Sequence, residues 1–326
     1  MEHKPGNSWA IVLAAGEGSR MAPLTRALYG RELPKQFAAL DSDRTLLQRT
    51  MGRIAPVAPP ARTVVVVARA YEDLARAQLR EYEGVEIVTQ PLNLGTGPGI
   101  LLPLAHVFVR DPDARVTIFP SDHHVRRPEL FAGAVERAVK IAPSTESGVV
   151  LLGAAAERPA ADLGWIVRGP ALGGRMPRAW RVHRFVEKPP ESVAMLLLGS
   201  GSLWNTMVLA GRAQALWRLA QRHIPRQASL FEHYLRHVGE PSAQKARDEL
   251  YTQLVPADFS REVLQAARGL AVVPLIDAGW FDCGTPERLL EYLRATPEME
   301  TTLRRLQAAL AHSVARKVAP VAQTAV

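Results

Sequence analysis

A single cysteine, Cys283, stands among 326 residues. No internal disulfide can form, and no thiolate-rich zinc site can be built within the chain. Aromatic residues amount to only 6%, and no dense lysine or arginine run is interleaved with them. The pattern of a nucleic-acid-binding face is therefore missing, although the formal net charge is +8. No stretch approaches the roughly 20 apolar residues of a membrane span, and the start, MEHKPGNSW, has no apolar segment like that of a signal peptide. These absences predict a cytoplasmic protein with neither nucleic acid nor membrane as partner. The spread of positive charge suits small phosphorylated substrates. No internal repeat of about 20 to 50 residues is present, which excludes solenoids and propellers.

What the chain does contain is an ordinary globular balance, 47% hydrophobic and 22% charged. In the N-terminal half, β-rich runs alternate with helical patterns, the signature of βαβ units around a mainly parallel sheet. WAIVLAA, TVVVVA, VEIVTQ and RVTIFPSD read as strands buried on both faces, and YEDLARAQLREY, GPGILLPLAHVFV and PELFAGAVERAVKIA as helices between them. From about residue 148 the texture changes to strand-like pieces broken by glycine and proline, which predicts a second half continuing the same sheet. Helical patterns return at 211–222 and 228–238. Met299, Leu303, Leu306 and Leu310 form an apolar stripe at helical spacing, suited to packing on the body or on a second subunit in a homodimer. The expected organisation is a domain over 1–293, divided into halves 1–145 and 146–293, then a helical extension 294–326 whose last dozen residues fray.

An open parallel sheet binds its ligands beyond the carboxyl ends of its strands, so the loops there carry the chemistry. After the first strand comes LAAGEGSRMAPLTR. Gly16 and Gly18 permit tight turns and close approach of N–H groups to phosphate, while Arg20 and Lys35 add positive charge. The loop is neither a Walker A motif nor a complete G-x-G-x-x-G; a plain glycine turn with solvated arginines is the alternative. Asp122 in FPSDHH and Asp282 in WFDCGTPE each follow a strand. Two such carboxylates, brought together, suffice for Mg²⁺ that also holds substrate phosphates; each could instead cap the following helix. Glu187 and Lys188 in FVEKPP pair a carboxylate for a sugar hydroxyl with an ammonium for a phosphate, or form a surface ion pair. Asp122-His123-His124 also occurs in metal-dependent phosphoesterases, but the further acidic and histidine clusters of a two-metal site are missing.

In this order, LAAGEGSRMAPLTR…LPKQF, TQPLNLGTGPGILLPL, FPSDH, FVEKP, LWNTMVL and WFDCGTPERLLEYL resemble the sugar-phosphate nucleotidyltransferases, and among them the mannose-1-phosphate guanylyltransferases. The resemblance implies a Rossmann-like α/β fold, a mixed but mainly parallel sheet flanked by helices, and Mg²⁺ as cofactor. It implies GTP and mannose 1-phosphate as substrates, joined to give GDP-mannose and pyrophosphate. Leu13, Ala14, Ala15, Gly16 and Gly18 would wrap the nucleotide, with Arg20 and Lys35 on its phosphates. Gln90, Gly95 and Thr96 would meet the base. Gly164, Glu187, Lys188 and Asn205 would hold the sugar phosphate, and Asp122 and Asp282 the metal. Arg20, Lys35, Asp122 and Lys188 are the expected catalytic set. Leu94 and Gly97 depart from the guanylyltransferase pattern, which leaves open another pair such as glucose 1-phosphate with UTP or dTTP. A nucleotide-sugar-binding regulator without turnover is the remaining reading.

Overall fold

Valine-rich β2 (Thr63–Ala68) lies between β1 (Ser8–Ala14) and β3 (Glu86–Gln90), and all three strands run parallel. A strand covered on both faces needs side chains that are apolar at every position, and TVVVVA supplies them. The computed structural model describes residues 7–40, 42–173 and 178–318, with side chains as far as residue 311.

The sheet has nine strands in the order β3-β2-β1-β4-β9-β6-β10-β8-β7, where β4 is Arg115–Pro120, β6 Val149–Ala155, β7 Gly164–Leu172, β8 Ala179–Glu187, β9 Leu203–Arg212 and β10 Ala271–Leu275. β1 to β4 are parallel, and the antiparallel β9 joins them to the second half. Residues 1–145 and 146–293 thus contribute to one continuous sheet. A separate pair, β5 (His124–Val125) and β11 (Trp280–Phe281), is antiparallel, with Trp280 opposite Val125 and Phe281 opposite His124.

Two apolar layers cover the sheet, as the period of two along each strand requires. Val12, Val65 and Val67 face α2 (Leu46–Ile54), α5 (Pro128–Ile141) and α11 (Glu300–Val318). Ile11, Val64 and Val66 face α4 (Thr96–Arg110), α7 (Ala213–His223) and α8 (Pro225–Leu235). The remaining helices are α1 (Ala22–Tyr29), α3 (Glu72–Leu79), α6 (Glu191–Gly199), α9 (Ala243–Gln253) and α10 (Pro286–Arg294). Among the described residues no helix is long and apolar enough to cross a membrane.

The stripe on α11 is taken up by its own chain: Leu306 is fully buried in the first layer, with Met299, Leu303 and Leu310 packed against it. Arg305 locks the helix by donating to the carbonyls of Ala39 and Leu40 at 3.1 and 2.8 Å. Of the tail expected to fray, residues 319–326 lie outside the described residues.

Candidate active site

The strand ends at Ala14, Gln90 and Pro120 all open on one edge of the parallel half, and the glycine loop lies across it. Gln36 ties the loop down, its amide donating to the carbonyls of Ala14 and Gly16 at 2.9 and 2.7 Å. Ser121 donates to the Leu13 carbonyl from both its amide and its hydroxyl, at 3.1 and 2.7 Å. With these carbonyls drawn inward, the main-chain N–H groups of Gly16, Glu17 and Gly18 have no acceptor among the described residues. A row of unpaired N–H groups is what an anion needs. Gly18 sits at φ +61°, and a side chain there would press within 2.9 Å of the Lys35 nitrogen.

Lys35 is the hub. Its ammonium lies 3.2 Å from the Asp122 carboxylate and donates to the carbonyls of Asp282 and Cys283 at 2.8 and 3.2 Å. The β5–β11 pair explains how residues so distant in sequence meet: continuing its register sets Asp282 opposite His123, beside Asp122. Neither aspartate caps a helix. The cap of α10 is Thr285, whose hydroxyl accepts from Arg288 N at 3.4 Å, and α5 has no side-chain cap.

Burial pushes the Asp122 carboxyl up, but Lys35 and then His123 outweigh it and hold Asp122 below the usual carboxylate range. His123 itself is driven down to about 4, by burial first and then by Lys35, against the pull of both aspartates. Its Nδ1 faces the Trp280 indole N–H at 3.3 Å, which can only donate. The neutral ring therefore carries its proton on Nε2, 3.6 Å from Asp122. His124 is spent on the Tyr292 hydroxyl at 2.9 Å.

Asp282 accepts from Gly284 N at 3.3 Å and from Arg288 at 3.2 Å. Arg288 also reaches Asp162 at 2.6 Å, and Asp162 reaches Arg20 at 2.8 Å. Burial raises the Asp162 carboxyl, yet the two guanidinium groups bring it to about 2. One chain of contacts therefore runs from Asp122 through Lys35 to the main chain of Asp282, and from the Asp282 carboxylate through Arg288 and Asp162 to Arg20. Asp162, Arg288 and Gln36 were not singled out from the sequence. Gln36 stands inside the quoted PKQF segment and Arg288 inside WFDCGTPERLLEYL, whereas Asp162 carries no local signal at all.

The second half supplies a separate cluster. Gly164 lies opposite Glu187 in the β7–β8 register; a methyl group there would come within 2.6 Å of Glu187 Oε2 and 3.2 Å of Asn205 Cβ. Lys188 adopts φ +47°, which turns the chain at the strand end and sets its ammonium 3.2 Å from Glu187. Burial raises the Glu187 carboxyl, with Lys188 opposing. Asn205 is buried, its side-chain oxygen accepting from Met207 N at 3.1 Å.

Gln90 is buried at the end of β3 and donates to the Tyr251 hydroxyl at 2.9 Å. Gly95 and Thr96 are braced by residues 257–259, which the sequence did not flag. The Thr96 hydroxyl accepts from Phe259 N, and the Gly97 amide donates to Ala257 O, both at 2.8 Å. Asn93 reaches back to Glu17 in the glycine loop at 3.2 Å.

Among the described residues no group of three or more His, Cys, Asp or Glu converges as a metal cage. Asp122 and Asp282 are the pair that could hold a divalent cation, and two carboxylates suit a hard ion that keeps water and phosphate oxygens as its other ligands.

An α/β sheet with unpaired loop N–H groups, two carboxylates and flanking cations at its carboxyl edge is an arrangement suited to ligands that carry phosphate. The Nucleotidyl transferase family matches residues 9–298, and the chain belongs to that family. It is 28% identical over 291 residues to mannose-1-phosphate guanylyltransferase 2 of Escherichia coli O157:H7, covering 86% of this chain and 58% of the relative. It is 31% identical over 298 residues to the xanthan biosynthesis protein XanB of Xanthomonas campestris, covering 86% and 58%. The chain thus spans less than two thirds of the length of these relatives. A crystal structure described as mannose-1-phosphate geranyltransferase from Thermus thermophilus superimposes with a TM-score of 0.73 at 31% identity, covering 85% of this chain and 76% of that one.

Proposed function

We propose that the chain joins mannose 1-phosphate and GTP to give GDP-mannose and pyrophosphate. The observation that carries the reading is Lys35, which ties Asp122 to Asp282 on one charged network that ends at Arg20. An oxygen of the sugar phosphate attacks the α-phosphorus in line; a new P–O bond forms as the α–β bridge breaks, and the electron pair leaves on pyrophosphate. The nucleophile is already an anion, so no general base is required, and catalysis is positioning plus stabilisation of developing charge.

The N–H groups of the glycine loop and Arg20 face the leaving phosphates, and Lys35 faces the α-phosphate. Glu187 and Asn205, which close in on the bare Cα of Gly164, receive the sugar, with Lys188 on its phosphate. Mg²⁺ held by Asp122 and Asp282 would neutralise charge on the phosphate oxygens when bound. Relatives named mannose-1-phosphate guanylyltransferase support the substrate pair. A panel of GTP, UTP and dTTP against mannose and glucose 1-phosphates, read by pyrophosphate release, tests it. GTP with mannose 1-phosphate is expected to lead; if it ranks among the poorest pairs, the assignment of substrates is wrong.

A further inference from the structure

Beside Asp282 lies a cavity of about 350 Å³ whose lining holds no other residue assigned to the reaction above. Its walls carry Trp204 and Trp280, with Arg126, Arg158, Glu157 and Glu291 among the lining side chains. It is not the sugar pocket. Asn205 and Gly164 face Glu187, whereas Trp204 alternates to the opposite face of the sheet, where it packs with Trp165 against Ala194 and Leu197 of α6. Asp282 and Arg288 belong to its lining and join it to the charged network of the site.

The lining is built of unspent groups. Arg158 lies over the Trp204 ring at 5.5 Å. Neither Arg126 nor Arg158 has an ion pair among the described residues. Trp204 is only 6% exposed, yet its indole N–H is buried without an acceptor among the described residues. That N–H is closed off from the cavity, so Trp204 serves the lining through its packing and not through a hydrogen bond. Two guanidinium groups take a phosphate monoester or diphosphate well. Indole faces receive the C–H face of a sugar ring, and the carboxylates of Glu157 and Glu291 accept from its hydroxyls. The volume falls at the small end of the range of ligand pockets, about 300–1,000 Å³.

We propose that this cavity is a second binding site, for a phosphorylated hexose. The phosphate lies on Arg126 and Arg158, and the sugar ring against Trp280. A free hexose phosphate and a nucleoside-diphosphate hexose offer the same chemistry, and titration separates them.

The test is isothermal titration calorimetry of the full chain with mannose 6-phosphate and, separately, with GDP-mannose. Arg126→Gln/Arg158→Gln is the main variant. Arg126→Gln alone serves if the double variant does not fold. A site for the free sugar phosphate gives one saturable event with mannose 6-phosphate, weakened at least tenfold in the double variant and severalfold in R126Q. A site for the nucleotide sugar gives two events with GDP-mannose, of which the variants lose one. The proposal is overturned if neither ligand gives an event that these variants weaken. Pyrophosphate release by the double variant, measured with no added effector, is expected within twofold of the parent. Failure of the cavity site is thereby distinguished from failure of the proposed reaction.

Discussion

The Lys35 ammonium donates to the main-chain oxygen of Asp282 at 2.8 Å, across 247 positions of sequence. The same ammonium holds the Asp122 carboxylate at 3.2 Å, so one side chain sets the spacing of both candidate metal ligands. Lys35→Met keeps the apolar stem and removes the charge. Turnover is expected to fall at least about a hundredfold, as for the loss of a preorganised electrostatic donor. Stability should fall by about 1–3 kcal/mol, because Asp122 and two carbonyls lose their partner. Pyrophosphate release and denaturant unfolding measure the two losses separately.

Asp122→Asn and Asp282→Asn remove one carboxylate charge each while keeping shape. Turnover with Mg²⁺ should drop by about two orders of magnitude or more if these groups hold the cation between phosphates, while far-UV circular dichroism remains that of the parent. Unchanged pyrophosphate release in both variants would remove them from the reaction.

Gly164→Ala places a methyl group within 2.6 Å of Glu187 Oε2 and 3.0 Å of Phe185 Cζ. The methyl group displaces the Glu187 carboxylate, the group assigned to the sugar. Steady-state kinetics should show KM for the sugar phosphate rising at least about tenfold while KM for the nucleotide stays close to the parent value, the pattern of lost ground-state binding. Equal changes in both constants would mean that the site, and not the sugar subsite alone, had been disturbed.

Away from the site, Glu86 joins β3 to α4 through His106 at 2.6 Å and through Arg110. Burial raises its carboxyl, but these partners bring it to about 2, below the ordinary value of 4.5. A carboxyl lowered on folding contributes stability that is fully present above its unfolded value and is lost as pH falls from 4.5 towards 2. Glu86→Gln should therefore destabilise the protein at pH 7 and flatten the acid side of its stability profile across that window. Thermal unfolding at a series of pH values measures it; an acid limb as steep as the parent's would exclude Glu86 as its source.

Leu306→Ala should cost about 2–5 kcal/mol, since it empties a fully buried position where α11 meets the core. An unchanged midpoint in urea would show that α11 contributes nothing to the stability of the body.

The strands were legible because burial on both faces demands unbroken apolar, β-branched runs, and TVVVVA and WAIVLA have no other use. The glycine loop, Asp122, Asp282, Glu187 and Lys188 were legible because each stands at a strand end, among small or proline residues that make the chain turn. Asp162 was not. It sits in an ordinary loop, AADLGW, and acquires its role only through Arg20 and Arg288, 142 and 126 positions away. Ala257 and Phe259, which brace the Gly95–Thr96 turn, were hidden for the same reason.

What the sequence determined by itself was which residues end strands and which chemistry they bring, because turn propensity and apolar periodicity are local properties. Only the tertiary structure decided which of these ends meet. A two-residue antiparallel pairing, His124–Val125 with Trp280–Phe281, carries Asp282 to Asp122. The left-handed turn at Lys188 swings its ammonium back onto Glu187. The strand pairing is a contact between segments far apart in the chain, and a side chain's neighbours across such distances are set by packing, which leaves no periodic trace in the letters on either side.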